Sequence, residues 1–321
     1  MPMNWSERLA AAGYIAGWKV VGKLPPGPVN KLAALAATKL SGDGAGPAQL
    51  RSNLARVVGC EPSAVPNALV AQSMRSYARY WVEAFRLPTL TSSANYPQLI
   101  AALTANTHGQ QYLRQSVAAG RGVVLVLPHS GNWDMAGVWC VSQYGQFTTV
   151  AERLKPAHLY DAFVEYRQSL GFEVLPLTGG VAPYARLREV VASGGIVCLM
   201  GERDLRARGV EVDFFGEKTR MPAGAAKLAQ DTGCALHTVH LWYTANGWGQ
   251  SISEPLPTER PLPELVQHIA DNFAAGIAAH PADWHMLQPQ WLADLPQTHL
   301  AHINRGNIDG AEADGAEAAE T

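Results

Sequence analysis

The chain has 321 residues, of which 47% are hydrophobic and 16% charged, and a formal net charge of −2. That balance excludes a disordered protein and supplies apolar side chains for a large core. Between Arg305 and Thr321 one base faces five acids, so the body is mildly cationic; it suits anionic ligands or headgroups but lacks the basic stripe of a nucleic-acid binder.

The first 120 residues read as helices. Trp5, Leu9, Ala12, Lys19 and Lys23 recur at helical spacing behind Asn4 and Ser6, and Pro25 and Pro26 end that segment. Arg8, Lys19 and Lys23 against Glu7, with Trp5, Tyr14 and Trp18 as anchors, fit a helix lying in the headgroup region. Further helices are expected over 29–39, 47–58 and 66–85, the last rich in Tyr77, Tyr80, Trp81 and Phe85. Those aromatics read as core before they read as a ligand groove.

The pattern then changes. Residues 122–128, GVVLVLP, form a short β-branched apolar run typical of a strand buried on both faces. Helical spacing follows over 134–143. Strands are expected at 147–151, 172–177, 196–200 and 236–243, separated by helices at 157–169, 182–192 and 223–231, with a last helix at 263–279. This alternation predicts an α/β fold, a central mixed, largely parallel sheet flanked by helices, with an N-terminal helical portion. Residues 1–304 are expected to form a single domain (1–120 helical, 121–304 α/β), followed by a disordered acidic tail at 305–321.

Cys60, Cys140, Cys198 and Cys234 are far apart and form no CxxC, which predicts reduced thiols and no zinc site. No leader-like segment is expected, and no apolar run approaches the ~20 residues of a spanning helix.

The chemistry concentrates where the first strand stops. Pro128-His129-Ser130-Gly131-Asn132-Trp133-Asp134 lies at a strand's carboxyl end, where ligands of open α/β sheets collect. On one helix, residues five apart diverge by about 140°, so His129 and Asp134 meet only if a tight turn at Gly131 carries His129 back over the helix start. A carboxylate beside the imidazole would fix its tautomer, and free helix-start amides could hold an oxyanion. A histidine and an acid without a Ser or Cys nucleophile point to a base acting on the substrate's own hydroxyl. The plainer reading is a His–Asp pair that only caps the helix.

HSGNWD after that strand resembles the HX4D/E motif of the glycerolipid-type acyltransferases. The nearest branch holds the lipid A late acyltransferases and the phosphatidylinositol mannoside acyltransferases. Glu152-Arg153-Leu154-Lys155-Pro156, Gly201-Glu202-Arg203-Asp204, Val212–Gly216 with Pro222-Ala223-Gly224, and Trp284–Trp291 resemble further blocks of that branch in order, over roughly 100–295. Asp at position 134 and a short amphipathic start resemble the phosphatidylinositol mannoside group more than the lipid A group.

The resemblance implies transfer of a fatty acyl group, typically palmitoyl, from acyl-CoA to a mannose hydroxyl of a phosphatidylinositol mannoside. It implies a peripheral enzyme on the cytoplasmic face of the cell membrane, bound to an anionic membrane surface, with acyl-CoA as co-substrate and no cofactor or metal. His129 is then the general base, Asp134 its orienting acid and Glu202 a third member. Glu152 and Arg167 lie near the site, and Arg203 and Arg206 belong to a basic cluster (with Arg208, Lys218 and Arg220) suited to the phosphates of CoA. Glu202 paired with Arg203, or an exposed Arg167, are the plainer alternatives. Rival activities are another glycolipid, lysophospholipid or lipid A-type acyl transfer, or lipid binding without catalysis. A metal hydrolase using His237 and His240 is disfavoured because residues three apart on a strand face opposite sides.

Overall fold

The computed structural model describes residues 21–22, 24–42, 44–152, 157–177, 183–204 and 209–295. The expected headgroup helix lies outside these residues except for its last positions. So do Arg153–Pro156 of the basic segment, Arg206, Arg208 and the acidic tail.

Among the described residues five α-helices precede the strand Val123–Leu127: α1 (Pro26–Leu40), α2 (Ala48–Val58), α3 (Asn67–Thr91), α4 (Tyr96–Ala105) and α5 (Gln110–Ala118). Two departures from the sequence reading occur here. A two-residue strand, β1 (Thr107–His108), interrupts the helices and pairs in parallel with a later strand, Thr107 opposite Gln250. Helix α3 also continues through Pro88 instead of stopping at Phe85, and in its last turn the hydroxyls of Thr91 and Ser92 donate to the carbonyls of Leu87 and Pro88.

The sheet then alternates with helices: β2 (Val123–Leu127), α6 (Trp133–Tyr144), β3 (Phe147–Ala151), α7 (Ala157–Ser169), β4 (Phe172–Pro176), α8 (Pro183–Ala192) and β5 (Ile196–Met200). A hairpin of β6 (Val210–Phe214) and β7 (Glu217–Met221) follows, then α9 (Gly224–Thr232), β8 (Ala235–Thr244), β9 (Gly247–Ile252) and α10 (Leu262–Ala279). Seven strands form one sheet in the order β1-β9-β8-β2-β5-β3-β4, parallel throughout except for the β8–β9 hairpin. The expected mixed, largely parallel sheet with flanking helices is therefore present. The β6–β7 hairpin and β9 went unread in the sequence, although Val210, Val212 and Phe214 alternate before a Phe215-Gly216 turn with positive φ at both positions.

Strand β2 explains the design. Val124 and Val126 face a core built with α8, α9 and α10, while Val123, Leu125 and Leu127 face α4, α5 and α6. With both faces covered, every position on the strand is apolar. Trp284 and Trp291, 1% and 0% exposed, close the first core beneath the β6–β7 hairpin, the Trp291 indole donating to the carbonyl of Phe214 at 2.8 Å. All four cysteines are free thiols. No helix among the described residues is long and apolar enough to cross a membrane.

His237 and His240 take opposite sides of β8. His237 bonds the Ser253 carbonyl and the Ser116 hydroxyl, whereas His240 packs on α10 at Gly276, its ring stacked near His280 and Trp242. No cluster of metal-ligating side chains exists among the described residues. Burial, with help from His280, pushes the His240 imidazole down to about 3. His285 is pushed to about 3 as well, by burial and then by His129.

Both rings therefore stay neutral in the folded protein to far below the unfolded value of 6.5, so the folded state binds fewer protons across that window. Stability should be fully present above about pH 6.5 and fall as pH drops towards 3. A Tm series from pH 7.5 to 4.5 should show this acid limb, and His240→Leu should flatten it; an unchanged slope in the variant would contradict the assignment.

Candidate active site

The site forms because neighbouring parallel strands end in register. Leu127 of β2 lies opposite Met200 of β5, and His129 and Glu202 each follow their strand by two residues. Glu152 directly follows β3, the next strand on the other side of β5. Three of the expected site residues thus stand along one carboxyl edge of the sheet, as expected for an open α/β ligand site.

Glu202 is fully buried, and its Oε1 accepts two bonds from one residue: the backbone N–H and the Nδ1–H of His129, both at 2.6 Å. A carboxylate oxygen that already accepts the backbone N–H suits the tautomer with its proton on Nδ1, which turns Nε2, with its lone pair, away as the ring's acceptor. The His129 side chain is 32% exposed, which leaves that lone pair accessible. A Trp133 ring stands edge-on at 5.4 Å.

This corrects the expected role of Asp134. The carboxylate on the imidazole is Glu202, not Asp134. Nor does Glu202 pair with Arg203, which instead bonds Gln288. Asp134, 1% exposed, accepts Arg167 Nε at 2.8 Å and Nη2 at 3.3 Å, and the Tyr80 hydroxyl at 3.1 Å. Burial alone would lower the Arg167 pKa, yet Asp134 and Tyr80 raise it above its ordinary value, so the fork is firmly charged. Burial, reinforced by Asp134, holds the Tyr80 and Tyr166 hydroxyls protonated.

The tight turn expected at Gly131 is present, with φ of 53°. A Cβ there would lie 2.8 Å from the backbone of Leu241 and Trp242. Glycine is required for both the left-handed backbone and the close approach. The turn's amides are largely committed: Ser130 N–H to the Pro128 carbonyl, Gly131 N–H to the Asp283 carbonyl and Met135 N–H to Asn132 Oδ1. The amides of Trp133 and Asp134 begin the helix with no acceptor among the described residues, in the place where an anion is stabilised. Ser130 is fully buried and its hydroxyl accepts the Leu241 N–H, so it is no nucleophile.

His129, Glu152, Arg167 and Arg203 all line one cavity of about 810 Å³. Its apolar wall includes Leu125, Trp139, Phe147, Phe163 and Phe172, together with the Tyr77, Tyr80 and Trp81 aromatics. Gly137 lets α6 pack closely on this wall, since a Cβ there would sit 2.5 Å from the Phe172 ring. Cys140 and Cys198 also line it, but the Cys198 thiol is held well above its usual range by its bond to Cys140 and by burial. Of the remaining basic cluster, Lys218 pairs with Asp213 and Arg220 with Asp204 and the Gly209 carbonyl.

Sequence reasoning missed Tyr80, Asn132 and His285 as parts of this arrangement. His285 donates its backbone N–H to the His129 carbonyl at 2.8 Å, and its ring bonds Ser76. Only the WHMLQPQW block, as a block, pointed to it.

Asp134 is stranded if its partner goes. Arg167→Met should cost about 3–5 kcal/mol in urea unfolding because the carboxylate stays buried and uncompensated. Adding Asp134→Asn should recover part of that loss, whereas an unchanged midpoint for Arg167→Met would contradict a buried pair.

Comparisons with known proteins show the family. Residues 5–293 match the family described as bacterial lipid A biosynthesis acyltransferase. A phosphatidylinositol mannoside acyltransferase of Mycobacterium tuberculosis (strain ATCC 25618 / H37Rv) is 53% identical over 292 residues, covering 90% of this chain and 91% of the relative. One of Mycolicibacterium smegmatis (strain ATCC 700084 / mc(2)155) is 53% identical over 293 residues, covering 91% and 94%. The chain belongs to the bacterial lipid A biosynthesis acyltransferase family.

Proposed function

We propose that the protein moves a fatty acyl group, palmitoyl in our reading, from acyl-CoA to a mannose hydroxyl of a phosphatidylinositol mannoside, at the cytoplasmic face of the cell membrane. The observation that carries this reading is the His129–Glu202 pair at the wall of a cavity of about 810 Å³ with a largely apolar lining and, among the described residues, no activated nucleophile. The acceptor class follows from the relatives' names and their 53% identity.

His129 Nε2 takes the proton from the acceptor hydroxyl as its oxygen attacks the thioester carbonyl. Glu202 stabilises the imidazolium that results. The amides of Trp133 and Asp134 receive the developing oxyanion. The C–S bond then breaks, and the thiolate leaves with the proton that His129 carries. Glu152 and Arg167 contact the polar acceptor, Arg167 being fixed by Asp134. Arg203 meets the phosphates of CoA, a role shared with Arg206, which lies outside the described residues. The apolar wall takes the acyl chain. Leu24, Leu32 and Leu35 are 44%, 66% and 63% exposed, and Lys31 and Lys39 are exposed with them, which supports contact with an anionic lipid surface.

The test is thiol release from palmitoyl-CoA on anionic vesicles, with and without a phosphatidylinositol mannoside. Release should depend on the acceptor, and His129→Ala should lower it ~10²–10⁴-fold at a similar Tm. Activity retained by that variant would refute the mechanism, and acceptor-independent release would refute the acceptor. Leu32→Asp with Leu35→Asp should weaken vesicle co-sedimentation; unchanged binding would remove this face from the account.

A further inference from the structure

Helix α3 contributes more than cavity-lining rings. Ser76, Tyr80 and Glu83 stand at i, i+4 and i+7, one stripe of the helix, and each grips a different part of the site. Ser76 donates to Asp283 Oδ1 at 2.7 Å and bonds His285 Nε2 at 2.9 Å. Asp283 and His285 in turn hold the catalytic turn through Gly131 N–H and the His129 carbonyl. Tyr80 holds Asp134. Glu83 holds Asn132, whose own Oδ1 caps the helix that starts at Trp133.

Glu83 is the member of this stripe with no other evident purpose. It is 7% exposed, and burying a carboxylate is unfavourable unless donors surround it. Its Oε1 takes Arg79 Nε at 2.6 Å; its Oε2 takes Asn132 Nδ2 and Trp248 Nε1, both at 2.7 Å. Arg79 is itself tied to the Gly247 carbonyl and lies over the Tyr243 ring. The carboxylate therefore joins α3, the β8–β9 hairpin and the residue between His129 and Asp134 that sets where α6 begins. A displacement of that start would move the Trp133 and Asp134 amides and the base together.

We propose that Glu83 is a positioning residue for acyl transfer, acting through Asn132 to fix the start of α6 against His129. The kinetic readout rests on the acyl-transfer reading; the exchange readout below does not.

The Glu83–Asn132 bond can be reversed in polarity. Trp248→Phe removes the competing indole donor, and its own turnover and exchange, measured first, serve as the reference. In that background Glu83→Gln turns a donor towards a donor, and Asn132→Asp turns one carboxylate towards another. Aspartate is as good a helix cap as asparagine, so the cap alone does not explain a loss in the second variant. Each change should lower kcat by about tenfold with the KM for palmitoyl-CoA nearly unchanged. The combination, with an amide donor facing a carboxylate, should regain most of it.

Amide hydrogen exchange in residues 133–144 should quicken in each variant and slow again in the combination. Unaltered kcat and exchange in the two variants would overturn the proposal. So would a combination that recovers neither, since Glu83 would then be a structural residue only. If the wild-type protein transfers no acyl group at all, the functional reading falls, and the exchange series still decides whether Glu83 positions the helix.

Discussion

Everything at the site depends on one buried carboxylate oxygen. Glu202 Oε1 receives both the main-chain and side-chain N–H of His129 at 2.6 Å, in a place solvent does not reach. Two donors from one residue fix the ring's tautomer and its orientation at once. Buried as it is, that oxygen meets no water competing with the two N–H donors. The sheet supplies this contact without a dedicated device. Parallel neighbours β2 and β5 end in register, and the two residues overhang by the same amount.

Around that oxygen the protein divides labour between two acidic positions that sequence places in one motif. Asp134 is consumed by Arg167 and Tyr80, and so builds the cavity wall instead of touching the base. The polar stripe of α3 holds the turn from behind, while the aromatic residues beside it face the cavity. One helix thus serves both the apolar groove and the polar frame, which accounts for its 25-residue length through Pro88. Charges at this depth are tolerated because each has partners: Glu83 has three donors, and Arg167 a bidentate acceptor.

Much of this was legible in the sequence, for local reasons. GVVLVLP reads as a strand covered on both sides, and Gly131 permits the tight turn that follows it. The error over His129 and Asp134 also has a local cause. Spacing along one segment ranks partners by separation, and Glu202 is 73 residues away. Strand order brings it near, and nothing in periodicity reports strand order. The resemblance had placed Glu202 in the site but not in contact with the imidazole. The β6–β7 hairpin was overlooked although Val210, Val212 and Phe214 alternate with Glu211 and Asp213, the pattern of a half-buried strand. Asn132 and Glu83 escaped because a buried polar contact between a helix and a turn leaves no periodic trace.

The central claim is that the imidazole of His129 belongs to Glu202. Proton and nitrogen NMR of the His129 ring, with ¹⁵N-labelled histidine, tests it directly. A bond this short should place the Nδ1 proton far downfield. Glu202→Gln should shift or abolish that resonance, while Asp134→Asn should leave it in place. A signal that survives Glu202→Gln and is lost in Asp134→Asn would contradict the account.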